Sequence, residues 1–163
     1  MAELAVLTCR IGARRIAIPA RDVLQILPLL PIARPPTLPV PLLGFVTVAG
    51  APVAVLDPVP LFEGAGRSAL GLYSHLVRLA GAVGVELCLA VDRAEDFARI
   101  DEARLRPVPP DRSLNGCAVA LAGDEDAPVH LVEVARLLDA EERARLAALG
   151  AQAAARKALW TQA

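Results

Sequence analysis

A mainly β fold, either one β-barrel or a pair of barrels followed by a C-terminal helix, is predicted by three features of the sequence. Short runs rich in β-branched and aliphatic residues recur from Leu4 to Val132, broken by Gly, Pro and Asp. Hydrophobic residues make up 55% of the chain and aromatic ones only 3%, so the core is aliphatic. Only beyond Asp139 does the apolar spacing change to a helical period.

Taken in order, Leu4, Val6 and Thr8 alternate with Ala5, Leu7 and Cys9, and Gly12-Ala13 turns the chain into a second strand, Arg15 to Ile18. Pro19 ends that hairpin and starts a helical turn that would carry Val23, Leu24, Ile26 and Leu27 as far as Pro28. Pro28 to Pro41 is proline-rich and predicts an irregular extended path. Phe45 to Val48 and Val53 to Asp57 flank Ala49-Gly50-Ala51-Pro52 as a second hairpin, and Pro58 to Phe62 makes a helical turn ending near Gly64. Small residues from Gly64 to Gly71 read as a linker. Strands follow at Tyr73 to Leu79 and Val85 to Val91, joined by Ala80-Gly81-Ala82-Val83-Gly84, then at Phe97 to Ile100, Val119 to Leu121 and Val129 to Val132. Asp139 with Glu142 forms a capping-box pattern, and Leu146, Leu149, Ala153 and Trp160 fall near one face of a helix over Ala140 to Trp160.

The 163 residues suffice for a single domain with its own core, 1–163. Lys and Arg total 17 against 18 acidic residues, so there is no basic field for a nucleic-acid backbone, and the scattered aromatics offer no base-stacking platform. Cys9, Cys88 and Cys117 are odd in number and widely spaced, which fits a reducing cytoplasm better than a disulfide framework. Met1 to Arg10 resembles no secretion signal. Pro35 to Leu56 carries no charge, but its prolines and glycines would leave backbone groups unpaired in lipid, so direct membrane insertion is not expected.

Little catalytic chemistry is available. His75 and His130 lie in predicted strands without Cys, Asp or Glu at metal-ligand spacing, and the cysteines read as small buried hydrophobes. Asp57, Asp92 and Asp139 stand where carboxylates cap or turn backbone, and no nucleophile elbow, phosphate loop or dinucleotide fingerprint is present. No catalytic residue, metal or cofactor is expected. An enzyme site would have to assemble from Asp57, Asp92, His75 and His130, which no spacing favours. The hairpin from Phe45 to Asp57 is instead apolar on both faces, so one face must be covered by Pro28 to Pro41 or by another protein.

The order of motifs resembles the CheW family of chemotaxis coupling proteins. Ala17-Ile18-Pro19 followed by Asp22-Val23-Leu24-Gln25-Ile26 resembles the family's opening "IP, then V-x-E-I/V" segment, and Leu43 to Asp57 resembles its "LGV-x-NLRG-x-x-x-PV-x-DL" signature. Leu89-Ala90-Val91-Asp92-Arg93 resembles the "GLVVD-x-V" strand, Leu105-Arg106-Pro107-Val108-Pro109 the "I-x-P-x-P" element, and Val129 to Leu138 with Asp139-Ala140-Glu141-Glu142 the closing "LLDL-x-x-LL". The resemblance implies two SH3-like five-stranded β-barrel subdomains on a shared apolar core, here 14–70 and 71–138 plus 1–13, with a C-terminal helix at 140–160. It also implies a non-enzymatic adaptor that bridges a chemoreceptor cytoplasmic tip to the regulatory domain of a CheA-type histidine kinase. By position, the partner surface is Val23, Gln25, Gly44, Val46, Val48, Ala49, Gly50 and Val53.

The chain departs from the signature at several positions. Gln25 stands for Glu, Ala49 for Arg, Thr47 for Asn and Glu133 for Asp, while Gly44, Gly50 and Asp57 are kept. A charged hydrogen bond at an interface contributes ~1.5 to 3 kcal/mol, so these changes predict an altered, more apolar recognition surface. The alternative is a CheW-like interaction module that has lost kinase coupling and acts as a competing or structural subunit.

Overall fold

The N-terminal alternation forms β1 (Glu3–Ile11) and β2 (Arg14–Pro19), an antiparallel pair turned at Gly12–Ala13, with Gly12 at φ 59 and Ile11 opposite Arg14. The computed structural model describes residues 2–81 and 86–161. After one 3-10 turn at Ala20–Asp22 the chain enters β3 (Val23–Pro28), where a helical turn was expected. The apolar spacing of Val23, Leu24, Ile26 and Leu27 mimics a helix, but pairing with β6 (His75–Leu79), from Val23 opposite Leu79 to Pro28 opposite His75, supplies the backbone partners a single helical turn lacks.

The second hairpin is longer than its sequence signal, with β4 (Leu42–Val48) and β5 (Ala51–Leu56) closed by a two-residue turn at Ala49–Gly50. Pro52 resumes the strand rather than belonging to the turn, because it sits opposite Thr47 and the neighbouring ladder begins only at Ala54. α1 (Pro58–Glu63) follows, capped by Asp57 and stopped by left-handed Gly64. β7 (Leu87–Val91), β8 (Arg93–Asp101), β9 (Ala118–Ala122) and β10 (Val129–Val132) then precede α2 (Ala140–Thr161). Val85 and the turn residues Ala82, Val83 and Gly84 lie outside the described residues.

The strands form two five-stranded sheets, β8-β1-β2-β10-β9 and β3-β6-β7-β5-β4. Both run antiparallel, antiparallel, parallel, antiparallel from their first-named strand. Starting the first sheet at β8 and the second at β3, chain order gives the same lateral order in each, first, fourth, fifth, third, second. The likeness extends to the loops. Ala33 and Phe45 exchange two backbone hydrogen bonds of 2.8 Å on the β4 edge, as Arg106 and Leu121 exchange two of 2.9 Å on the β9 edge.

Two expectations change here. Among the described residues neither ladder closes into a barrel, since β3 with β4 and β8 with β9 remain edges, and the β4 and β9 edges are met by those short loop bridges instead. The strands also divide differently from 14–70 and 71–138 plus 1–13. β2 pairs in parallel with β10, and β6 and β7 return to pair with β3 and β5, so the chain changes sheet at Ala20–Asp22 and again at Asp92. Gly64 to Gly71 is therefore a loop within one sheet.

One apolar core is shared between the sheets. Leu7, Ile16 and Ile18 of the first pack in the same buried cluster as Phe45, Leu56, Val77 and Leu89 of the second, and Leu146 of α2 completes it. A second cluster lies on the far side of the hairpin sheet, where Leu29, Leu30 and Ile32 of the proline-rich segment cover Val46, Val53 and Val55. Both faces of the hairpin are thus covered from within the chain.

Candidate functional site

The tip of the β4–β5 hairpin is shaped by its turn. Ala49 and Gly50 have φ of 49 and 83, the paired left-handed geometry that matches the twist of a two-residue hairpin. Both are exposed, Thr47 is exposed and Val48 is half-buried. Lower on the hairpin, Val46 and Val53 are only 1% and 7% exposed. Gly44 is buried at φ 149, and a Cβ there would press on the Ala33 carbonyl and stand 2.6 Å from Ile32 Cγ2. The backbone approach of the strap, rather than an outside partner, requires glycine at that position.

Val23 and Gln25 lie on β3, at the opposite edge of the same sheet from β4. Gln25 is exposed, and its Oε1 accepts from Arg78 at 3.4 Å while Arg78 also clasps Glu86 at 2.7 Å. Three strands separate these residues from β4, so the eight expected partner residues form an exposed tip, a buried hairpin floor and a distant edge.

One contributor to the tip escaped the sequence reading. α2 lies against the hairpin, and Lys157 Nζ donates to the Gly50 carbonyl at 3.0 Å and to Thr47 Oγ1 at 3.4 Å. The chain's sole lysine thus brings a positive charge beside Ala49, the neutral position of the turn. The available signal was its place on the same helical stripe as Ala153 and Trp160. Trp160, expected on the inner face, is 85% exposed, because only Leu146 of α2 is fully buried and the helix leaves the core before its last turns.

Asp57, Asp92 and His75 serve the backbone. Asp57 is fully buried; its Oδ1 accepts from Val59 N–H and from the Ser68 hydroxyl at 2.6 Å, and its Oδ2 from Ser68 N–H. Asp92 accepts from Gly12 N–H at 2.6 Å, and His75 Nδ1 accepts from Ala94 N–H at 3.0 Å. Burial pushes the thiols up, Cys9 to about 12 with help from Glu95, and Cys88 and Cys117 to about 11, so none supplies a thiolate near neutrality. No cluster of three or more His, Cys, Asp or Glu able to hold a metal occurs among the described residues, and none of their helices is long and apolar enough to cross a membrane.

The CheW-like domain family matches residues 5–142. A search of curated proteins found no match. Among solved structures, the fold is similar to that of the scaffolding protein TtCheW from Thermoanaerobacter tengcongensis, with a TM-score of 0.76 and 18% identity over 87% of this chain and 92% of that one. The family match spans both sheets, the hairpin and the start of α2, and the chain belongs to the CheW-like domain family.

Proposed function

We propose that this chain is a non-enzymatic adaptor of a chemotaxis-like pathway, working in the cytoplasm without a cofactor. It couples a chemoreceptor cytoplasmic tip to the regulatory domain of a CheA-type histidine kinase. The observation that carries the reading is the family match over residues 5–142, and the likeness in fold to a protein described as a scaffold supports it. Each five-stranded sheet is read as an SH3-like unit left open at one seam. The reachable part of the recognition surface is then Ala49 and Gly50 at the tip with half-buried Val48, and Gln25 with Val23 at the far edge, while Gly44, Val46 and Val53 support the tip from below.

A second reading has a specific observation behind it. Ala49 and Gln25 are neutral where the family signature has Arg and Glu, which favours a subunit that occupies a receptor array without passing signals to the kinase.

Calorimetric titration of the full chain against the regulatory domain of a CheA-type kinase, and separately against a receptor-tip fragment, tests both readings. Binding to both in the micromolar range or tighter is expected of the adaptor. Binding to the receptor fragment alone identifies the competing subunit, and no heat with either overturns both.

A further inference from the structure

The last turns of α2, the proline-rich strap and the β4–β5 hairpin enclose a groove of 460 Å³. Its walls are apolar where Phe45, Pro36, Pro52 and Trp160 meet. Arg34, Arg156 and Lys157 also line it, and no acidic residue does. The chain as a whole carries 17 basic and 18 acidic residues, so three cations without an anion is a local departure. Arg156 and Lys157 come from α2 and Arg34 from the proline-rich strap, so the cations converge on the groove from two separate elements. Among the described residues neither Arg34 nor Arg156 forms an ion pair, and both are exposed. Trp160, which lines the groove with them, is 85% exposed. Large apolar side chains held in water next to unpaired guanidinium groups are characteristic of interfaces, where Trp and Arg are the commonest anchors.

We propose that this groove docks a short acidic segment of a partner protein, one that carries a large apolar side chain between carboxylates. The apolar side chain enters against Trp160 and Pro52, and the carboxylates pair with Arg34 and Arg156. Lys157 stays on Gly50 and joins the groove to the hairpin tip. The partner's role rests on the adaptor reading above, whereas the recognition chemistry is open to test without any signalling protein.

Trp160 is the only tryptophan, so emission excited at its red edge reports on the groove alone. The full chain is titrated with a capped synthetic peptide, Glu-Glu-Leu-Phe-Glu-Glu, and with counterparts in which Gln or Lys replaces every Glu. A saturable blue shift with the acidic peptide only, weakened by salt, is the expected result. The Arg34→Glu, Arg156→Glu double variant, checked for native circular dichroism, should bind the acidic peptide about tenfold more weakly, equivalent to about 1.4 kcal/mol. No response to the acidic peptide, an equal response to the Gln peptide, or an unchanged affinity in the double variant overturns the proposal. Failure of the adaptor reading looks different: the peptide response persists while kinase and receptor fragments do not bind.

Discussion

His130 lies on β10 at 6% exposure, and its Nδ1 has no hydrogen-bond partner among the described residues. Burial disfavours the imidazolium; a backbone hydrogen bond to Arg15 opposes this, and the charges of Arg14 and Arg112 add to it, so its pKa falls below the usual 6.5. The unfolded chain takes up this proton near pH 6.5 and the folded chain only at lower pH, so stability is complete above 6.5 and declines as pH falls below it. Urea midpoints from pH 7.5 to 5 should show that decline, with at most about 1.4 kcal/mol per pH unit from this one group. In His130→Leu the slope should be shallower; an unchanged slope would assign it to other groups. The same scale shows what single positions disclosed in advance. Asp57, Asp92 and Asp139 were legible as caps and turns because a carboxylate ahead of a helix or in a turn serves nearby backbone donors; Asp139 and Glu142 do close a reciprocal capping box at 2.8 and 2.9 Å. Gly44 was legible only as a signature glycine, since the strap that crowds it arrives from another part of the chain.

Among the elements, the strap over the hairpin is the one on which the site depends. Leu29, Leu30 and Ile32 seal one hairpin face, and the Ala33–Phe45 bridge pins the strap to β4 directly above Gly44. Gly44→Ala should therefore lift the strap at a cost of about 1 to 3 kcal/mol, read as a lowered denaturation midpoint. Faster amide exchange at Ala33 and Phe45, with β1 and β2 still protected, is the signature that separates local release from global loss; uniform acceleration would contradict it. Hairpins and the terminal helix were readable because their turns and caps are local. β3 was not, because its four apolar residues suit a helix or a strand equally, and the choice falls to β6, some fifty residues on.

For the molecule as a whole, residues of both sheets occupy one core, with Ile16 and Val77 in the same fully buried cluster. Neither sheet can lose its inner face without exposing the other, so unfolding should be a single cooperative step. Hydrogen exchange of β6 and β7 in one sheet and of β2 and β10 in the other, followed across denaturant, should give one coincident midpoint; two separated transitions would mean the sheets are independent. Strand membership was the part least visible beforehand, because the pairing of Ile16 with His130 joins positions that no local pattern connects.

That long-range pairing also sets a schedule for biosynthesis. β1 and β2 leave the ribosome before β3 to β7, yet their neighbours β8, β9 and β10 leave after them. The strands of the other sheet, β3 to β7, emerge consecutively between them and have every hydrogen-bonding neighbour available once β7 is made. The nascent chain thus holds the apolar β1–β2 hairpin in waiting while β3 to β7 assemble, and the later strands lock the earlier ones in place.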